Sequence, residues 1–498
     1  MRRIARYLTI IMGNFDKIQL FRSRLFFLGQ ALITNYKTKI RVIVMKYICL
    51  MLLLTTSVLA AKERVEGVLM FEYGDSFDGT QHHQQLYLQT VDEKIFLNSS
   101  QAFKERMPIH QWTGKQVSVL FKAEKLSVDG SKFIQSIELL EGEAQKGGLV
   151  LGSQKWISLL CKFSDKSAEP ENLSYFQDMY ANTPAGLDHY WREVSYNTAN
   201  VAGSMAVDWV DLPSTHTTYI PTPGSGTSSD ILDLLFDDCT DAADSLVDFT
   251  DDFVGINMMF NDVLNCCAWG GGRNATLDGQ SQSWQVTWNP PWAFGDEAVI
   301  AHEMGHGMGL PHSNNSDGDN NPYDSPWDVM SWATGYAVND SVYGRLGKHI
   351  NMYHKYRLGW VDDADGFTAA PDTNTIKRIN WTPMTTTANE KFVRIPLSDG
   401  TSYYIEARQE SGQYESNIVD TALIIHHVDT GRSEPAWVVD ADNPPADAAN
   451  TEGVMWKAGE IFSDPIDGYK IEVLSQVTNG FRIRIIGSDD LIFRDGYE

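Results

Sequence analysis

Between residues 62 and 145 apolar and polar side chains alternate with a period of two in five short runs, 65–71, 85–88, 94–97, 116–121 and 133–137. A strand sends successive side chains to opposite faces, so the alternation predicts strands with one buried face, and the Gly and Asp between the runs predict turns. The expected product is a small β-barrel or sandwich. From Lys155 the pattern becomes mixed. Residues 156–163 form a nearly continuous apolar run, expected as a buried strand, and 187–196 read as a helix before a second strand at 205–210. Ile231, Leu232, Leu235, Ala242, Leu246, Val247 and Phe253 recur at intervals of three and four, the period of an amphipathic helix, with Ser229 as its expected cap. Strands are expected at 254–260 and 284–288, the latter ended by Asn289-Pro290-Pro291, and Asp296 is placed to open another helix. After Asp363 the runs 392–395, 402–408, 422–428, 469–474 and 481–485 return to strand character and predict a β-sandwich. His426 and His427 would fall on opposite faces of one of these strands, which suits packing rather than a shared metal. The fold class expected is α+β.

The amino-terminal end reads differently. Residues 1–44 are basic and irregular, expected as an over-extended start or a leader, and residues 45–60 have the charged head, apolar middle and small-residue exit of a secretory signal, with cleavage after Val58-Leu59-Ala60. That apolar run is short for a membrane crossing, so no stable span is expected in the mature protein. Export changes the reading of the five cysteines. Cys49 would leave with the signal, and Cys161, Cys239, Cys266 and Cys267 would form two disulfides in an oxidising compartment. Three pairings are open, and the neighbours Cys266 and Cys267 are expected to bond different partners, because bridging adjacent residues strains the peptide. The net charge is −25, and residues 1–60 hold ten of the 40 Lys and Arg, so the mature part is more acidic still, a surface expected to repel nucleic acid and anionic membranes.

The candidate chemistry lies in residues 302–312, which read His-Glu-x-x-His-x-x-Gly-x-x-His. Residues four apart on a helix are rotated by about 400°, so the imidazoles of His302 and His306 leave nearly the same face and can hold one ion. Glu303 projects to the side, where its carboxylate reaches a water at the metal without displacing it, a general base's position. His312 reaches the same ion only if the helix stops. Gly309 permits a positive-φ terminator and Pro311 prevents the helix from resuming. Three neutral imidazoles leave a fourth tetrahedral position open, which distinguishes a catalytic Zn2+ from a structural one. With typical residue usage, five fixed positions recur by chance on the order of once in a hundred thousand chains of this length.

This stretch resembles the signature of the metzincin metallopeptidases, whose third histidine is followed by a Met-turn. Ser325-Pro326-Trp327-Asp328-Val329-Met330-Ser331 follows here, and the resemblance makes Met330 the sulfur beneath the imidazoles. Some metzincins carry a tyrosine two residues later, where this chain has Trp332. Residues 189–196 and 351–360 are similar to flanking segments of the secreted gametolysin-like and immune-inhibitor-A-like bacterial peptidases, some of which have aspartate where His312 stands. The resemblance covers roughly residues 155–362. It implies a mixed, mostly parallel sheet with an antiparallel edge strand, an active-site helix and a zinc endopeptidase activity with Glu303 as base. Extended polypeptide substrates would pair along the edge strand around 284–288. Many metzincins silence their zinc with a propeptide cysteine. Residues 62–160 contain none, so latency would need another group or steric cover.

The expected organisation is therefore a leader (1–44), a signal peptide (45–60), an amino-terminal β domain standing where a propeptide would (61–147), a zinc peptidase domain (148–363), a β-sandwich (364–487) and an acidic tail (488–498). The loop 313–324 adds an oxygen-rich group, Asp317, Asp319, Asn321 and Asp324, open to two readings, a Ca2+ site or a hydrated loop. Two other functions compete with a peptidase. One is a secreted adhesion protein binding glycan or matrix with a non-essential zinc domain, and the other is a metal-dependent hydrolase of non-peptide bonds.

Overall fold

The computed structural model describes residues 64–489 apart from 92, 99–108, 127–129, 141–148, 222–228, 320 and 382–389. The expected leader, the signal segment, residues 141–148 at the expected domain boundary and most of the acidic tail lie outside the described residues. The described part is a mixed α+β fold, mostly strands with few helices. Among the described residues no helix is long and apolar enough to cross a membrane.

The alternating runs form strands β1 (Arg64–Ser76), β2 (His82–Gln89), β3 (Lys94–Asn98), β4 (Gln116–Leu126) and β5 (Lys132–Leu139). Their order is β2-β3-β5-β4-β1, and β2 also pairs with β1, which closes a small five-stranded barrel. Leu69, Phe71, Leu88, Ile95, Val117, Val119, Ile134 and Ile137 fill it. β1 is long enough to do a second job. Its first half pairs with β4, while Glu72–Ser76 pair antiparallel with Cys267–Gly271.

That pairing joins the barrel to the strands that follow. β6 (Gly152–Ser153) and β8 (Ala199–Asn200) make a two-residue ladder, while β7 (Trp156–Lys162), β9 (Met205–Asp211), β10 (Gly255–Phe260), β11 (Cys267–Leu277) and β12 (Gln280–Asn289) continue the large sheet in the order β1-β11-β12-β10-β7-β9. β12, β10, β7 and β9 run parallel and β11 antiparallel. β10 is buried along its whole length, as a central parallel strand must be. Helix Ser229–Ala243 packs on one face, with Leu232, Leu235 and Phe236 against Leu159, Ile256 and Met258. Helix Glu297–Gly307 packs on the other, with Ile300, Ala301 and Met304 beside Trp156, Leu160 and Met259.

Several expectations are corrected. The antiparallel strand β11 is not at an edge, because β1 covers it. β12, expected to offer Trp284 to Trp288 to a substrate, lies between β11 and β10. An open edge would leave a row of unpaired N–H and C=O groups, and β1 satisfies them. The long helix begins at Ser229 and stops at Ala243, so Leu246 falls in a 3-10 turn and Val247 and Phe253 beyond it, although both still pack in the same core. Asp296 stands at the cap position of helix 297–307 but caps nothing; its carboxylate instead accepts from the Arg345 backbone N–H at 2.7 Å and from the guanidinium at 2.5 and 3.0 Å.

The cysteines are corrected too. Cys161 on β7 bonds Cys239 on the helix above it, their Cα atoms 5.9 Å apart, and Cys266 bonds its neighbour Cys267. Among the cysteines of the described residues, once the strand-to-helix pair has formed, each of the neighbours has only the other left to bond. The Cys161–Cys239 bridge closes a long loop, so the Cys161→Ala/Cys239→Ala variant is expected to lose about 2–4 kcal/mol in urea unfolding.

Beyond a two-stranded ladder of Val338–Asp340 with Gly344–Leu346 lie two larger sheets. Gly366–Thr368, Phe392–Pro396, Ser402–Arg408, Ala422–Val428 and Ala436–Val438 form a five-stranded sheet, and Asn374–Asn380, Gly480–Ile486, Lys470–Val477 and Ile461–Ser463 a four-stranded one. Val393, Ile405, Ile425, Ile471 and Ile483 share the core between them, so the two sheets make a sandwich. His426 is fully buried and His427 half-buried, its Nε2 2.9 Å from Thr401 Oγ1.

Candidate metal centre

Helix Glu297–Gly307 carries His302 and His306 on one face, and its end is set by Gly309 at φ +87°. The Gly309 N–H donates to His306 O at 2.9 Å and the Leu310 N–H to Gly305 O at 3.0 Å, the two bonds of a Schellman turn. The turn reverses the chain so that His312 returns to the helix. It also orients a ring, because Leu310 O lies 2.7 Å from His306 Nδ1. Val329 O does the same for His302 Nδ1 at 2.7 Å. With both Nδ1 atoms donating to carbonyls, the Nε2 atoms keep their lone pairs for another partner.

Those lone pairs converge. His306 Nε2 lies 3.0 Å from His302 Nε2 and 3.2 Å from His312 Nε2, and all three rings are buried. Three nitrogens about 2.0–2.1 Å from one Zn2+ in a tetrahedron would stand roughly 3.3 Å apart, so the donor set fits that ion in type and spacing. Burial, with His302 and His312 adding to it, lowers the His306 pKa to about 3, keeping this imidazole in the neutral form that binds metals.

Met330 is fully buried, with its sulfur packed so close to Gly305, the residue before His306, that a Cβ there would overlap it. Gly270 of β11 similarly lets the helix backbone at Glu303 rest on the sheet, since a Cβ would run into Glu303 O. Met330 is held in turn. Asp328 Oδ1 accepts from its N–H at 2.9 Å, and Asp328 Oδ2 lies 3.1 Å from His354 Nδ1 on helix Met352–Arg357. Burial would raise the Asp328 pKa, but the facing His354 outweighs it and holds the carboxyl well below its usual range. Ser313 N–H donates to Met330 O at 3.1 Å, which ties the residue after His312 to the same turn.

The fourth position, expected to be open to water, is filled. Asp75, at the end of β1, places Oδ1 2.9 Å from His312 Nε2 and Oδ2 3.2 and 3.4 Å from His302 and His306 Nε2. Its carboxyl completes a buried four-residue group able to hold a metal. The register that pairs Asp75 with Ala268 brings it there. Tyr73, two residues earlier on the same strand face, stacks on His306 with centroids 4.2 Å apart. Tyr323 donates its hydroxyl to Asp75 Oδ1. Tyr73, Asp75 and Tyr323 were not expected from the sequence. Asp75 reads there as an ordinary residue before a turn, and only strand pairing across about two hundred residues gives it a role.

Glu303 lies at 0% exposure with neither carboxylate oxygen hydrogen-bonded, and burial, then Asp75, pushes its pKa well above the usual range. It borders a cavity of about 310 Å3 shared by Asp75, His302, Trp292, Tyr323, Trp332 and Arg345. Trp332 thus lines the cavity at the position where some metzincins have tyrosine. Of the loop residues, Asp317, Asp319 and Asp324 come together, while Asn321 turns its Oδ1 to the Tyr323 N–H at 3.2 Å. In comparisons with known proteins, no family model matches the chain and no curated protein is significantly similar to it in sequence.

Proposed function

We propose that this chain is a secreted zinc endopeptidase with a metzincin-type catalytic domain in residues 148–363, described here in a latent state. The observation that carries the reading is Glu303, buried without a hydrogen-bond partner beside three converging imidazoles. A carboxylate so placed weakens the fold and does nothing for the packing, so its use lies in the reaction. His302, His306 and His312 would hold the ion, which when bound polarises a substrate carbonyl and acidifies water. Glu303 takes the proton of the attacking water and delivers it to the departing amine.

Substrate would lie along β11, the strand edge that Glu72–Ser76 now occupy, and would pair through its main chain. Asp75 then acts as the latency group in place of a cysteine, filling the position that water needs, and displacement of β1 frees both the ion and the edge at once. Metal analysis of the secreted protein, with amino-terminal sequencing of its active form, tests this. About one zinc per chain and an active form beginning beyond Asp75 are expected. A protein without bound zinc, or full-rate casein cleavage by chains that retain Asp75, overturns it.

The filled fourth position also favours a second reading, a closed structural zinc in a secreted binding protein, since four protein ligands are the mark of such sites. The orphaned Glu303 speaks against it, because a structural site needs no base.

A further inference from the structure

We propose that Lys348 is a positioning residue that holds the Trp332–Ala333 wall of the cavity beside Glu303, and through that wall sets how tightly substrate is bound. The kinetic consequence rests on the peptidase reading, and the hold itself does not. Lys348 is 0% exposed, and its ammonium donates to Trp332 O at 2.6 Å and to Ala333 O at 2.8 Å. Both residues that it grips line the cavity bordered by Glu303, His302 and Asp75.

The wall has little else to fix it. Residues 331–336 are bends and turns, outside any helix or strand. Their own backbone bonds are mostly local: the Ala333 N–H donates to Ser331 O at 2.8 Å and the Gly335 N–H to Trp332 O at 3.1 Å, while the Trp332 N–H reaches Ser325 O at 3.2 Å. A carbonyl turned into the protein needs a buried donor, and one ammonium serves two of them. The loop is also folded tightly around its indole, since a Cβ on Gly335 would overlap the Trp332 ring. A shift of either carbonyl therefore carries the ring that faces the cavity.

A buried ammonium is a costly way to fill space, so its use lies in what it holds. The carboxylates that favour its charge, Asp328 before Met330 and Glu415 beyond strand Ser402–Arg408, act through space rather than by a hydrogen bond. Burial first, and then Arg408 on that strand, outweigh them and lower the Lys348 pKa to about 7. The backbone on either side is held by Tyr190, whose hydroxyl donates to Lys348 O at 2.7 Å, and by Glu297, whose Oε2 accepts from the Gly347 N–H at 2.6 Å. Two nearby groups titrate in a similar window. Burial raises Glu297 to about 8 and lowers Lys355, which lies 3.1 Å from the His349 ring, to about 8. For Lys348 the sign is that of a base with a lowered value: the charged grip is complete at acid pH and weakens as pH rises through about 7.

Amide hydrogen exchange of the full zinc-loaded chain reads the hold directly. Corrected for the intrinsic pH dependence of exchange, the Trp332, Ala333 and Gly335 N–H groups of the parent are expected to lose about tenfold in protection between about pH 6 and about pH 8.5, while β10 stays unchanged. Lys348→Met should show the looser rate at both pH values. The parent series needs no variant, so a Lys348→Met chain that fails to fold leaves the test standing. In the active form the same variant should raise the KM for peptides about fivefold or more near pH 6 and lower kcat less than about twofold, with the parent KM climbing toward it as pH rises. Flat protection in the parent, an unchanged KM, or a pH step that persists in Lys348→Met and so belongs to Glu297 or Lys355, overturns the proposal. A chain that shows the exchange pattern and cleaves nothing ends the peptidase reading alone, and cleavage with a flat exchange profile ends the hold alone.

Discussion

Glu303→Ala is expected to lower peptide cleavage by the active form about 10²–10⁴-fold while zinc content stays unchanged. The three imidazoles make no hydrogen bond to the Glu303 carboxylate, and His302 and His306 are oriented by Val329 O and Leu310 O, which the substitution leaves in place. Loss of zinc together with activity would reduce Glu303 to a support for the site, and undiminished cleavage would end its role as base. The isosteric Glu303→Gln should lose a similar share of activity yet gain stability, because it removes a carboxylate whose ionisation burial opposes. A rise in unfolding midpoint alongside a fall in rate is the signature of a residue kept for chemistry at a cost in stability.

Asp75→Ala is expected to act in the opposite direction. In the intact chain the Asp75 carboxylate stands within 2.9–3.4 Å of all three Nε2 atoms. Being part of the same molecule, it competes with water at a high effective concentration. Removing it should raise cleavage of a short chromogenic peptide about tenfold or more, a change of about 1.4 kcal/mol or more. Protein substrates should gain much less. Glu72–Ser76 remain paired with Cys267–Gly271 in the variant, so the strand edge that a long substrate would use stays covered. Equal gains on both substrates would show that β1 leaves the edge readily. No gain on either would show that Asp75 is not what keeps the site closed. Its partner Tyr323 should follow Asp75 in a milder form, since Tyr323→Phe removes a hydrogen bond to the carboxylate and leaves the carboxylate in place.

Local pattern made much of this legible. Five alternating runs carried the barrel strands because a strand with one wet face writes its period into the sequence. The spacing of His302, His306, Gly309 and His312 carried the convergence of three rings, since a helix face followed by a left-handed glycine is geometry confined to eleven residues. Other features were not legible. The neighbouring cysteines looked unfit to bond each other, yet where the partners lie is decided by the Cys161–Cys239 approach of a strand and a helix far apart in the chain. In the oxygen-rich loop only the tertiary structure shows that Asp317, Asp319 and Asp324 come together while Asn321 turns to the Tyr323 N–H.

By itself, the sequence determined those elements whose causes are local: periodicity, the turn at Gly309, and the order of residues that puts Glu303 beside the ligands. The tertiary structure alone decided which strand covers β11 and what stands at the fourth corner of the centre. Strand pairing is a long-range choice that satisfies backbone groups of any residue, so nothing in the side chains of Glu72–Ser76 announces where they will lie. Asp75 gains its place beside the three imidazoles through that pairing.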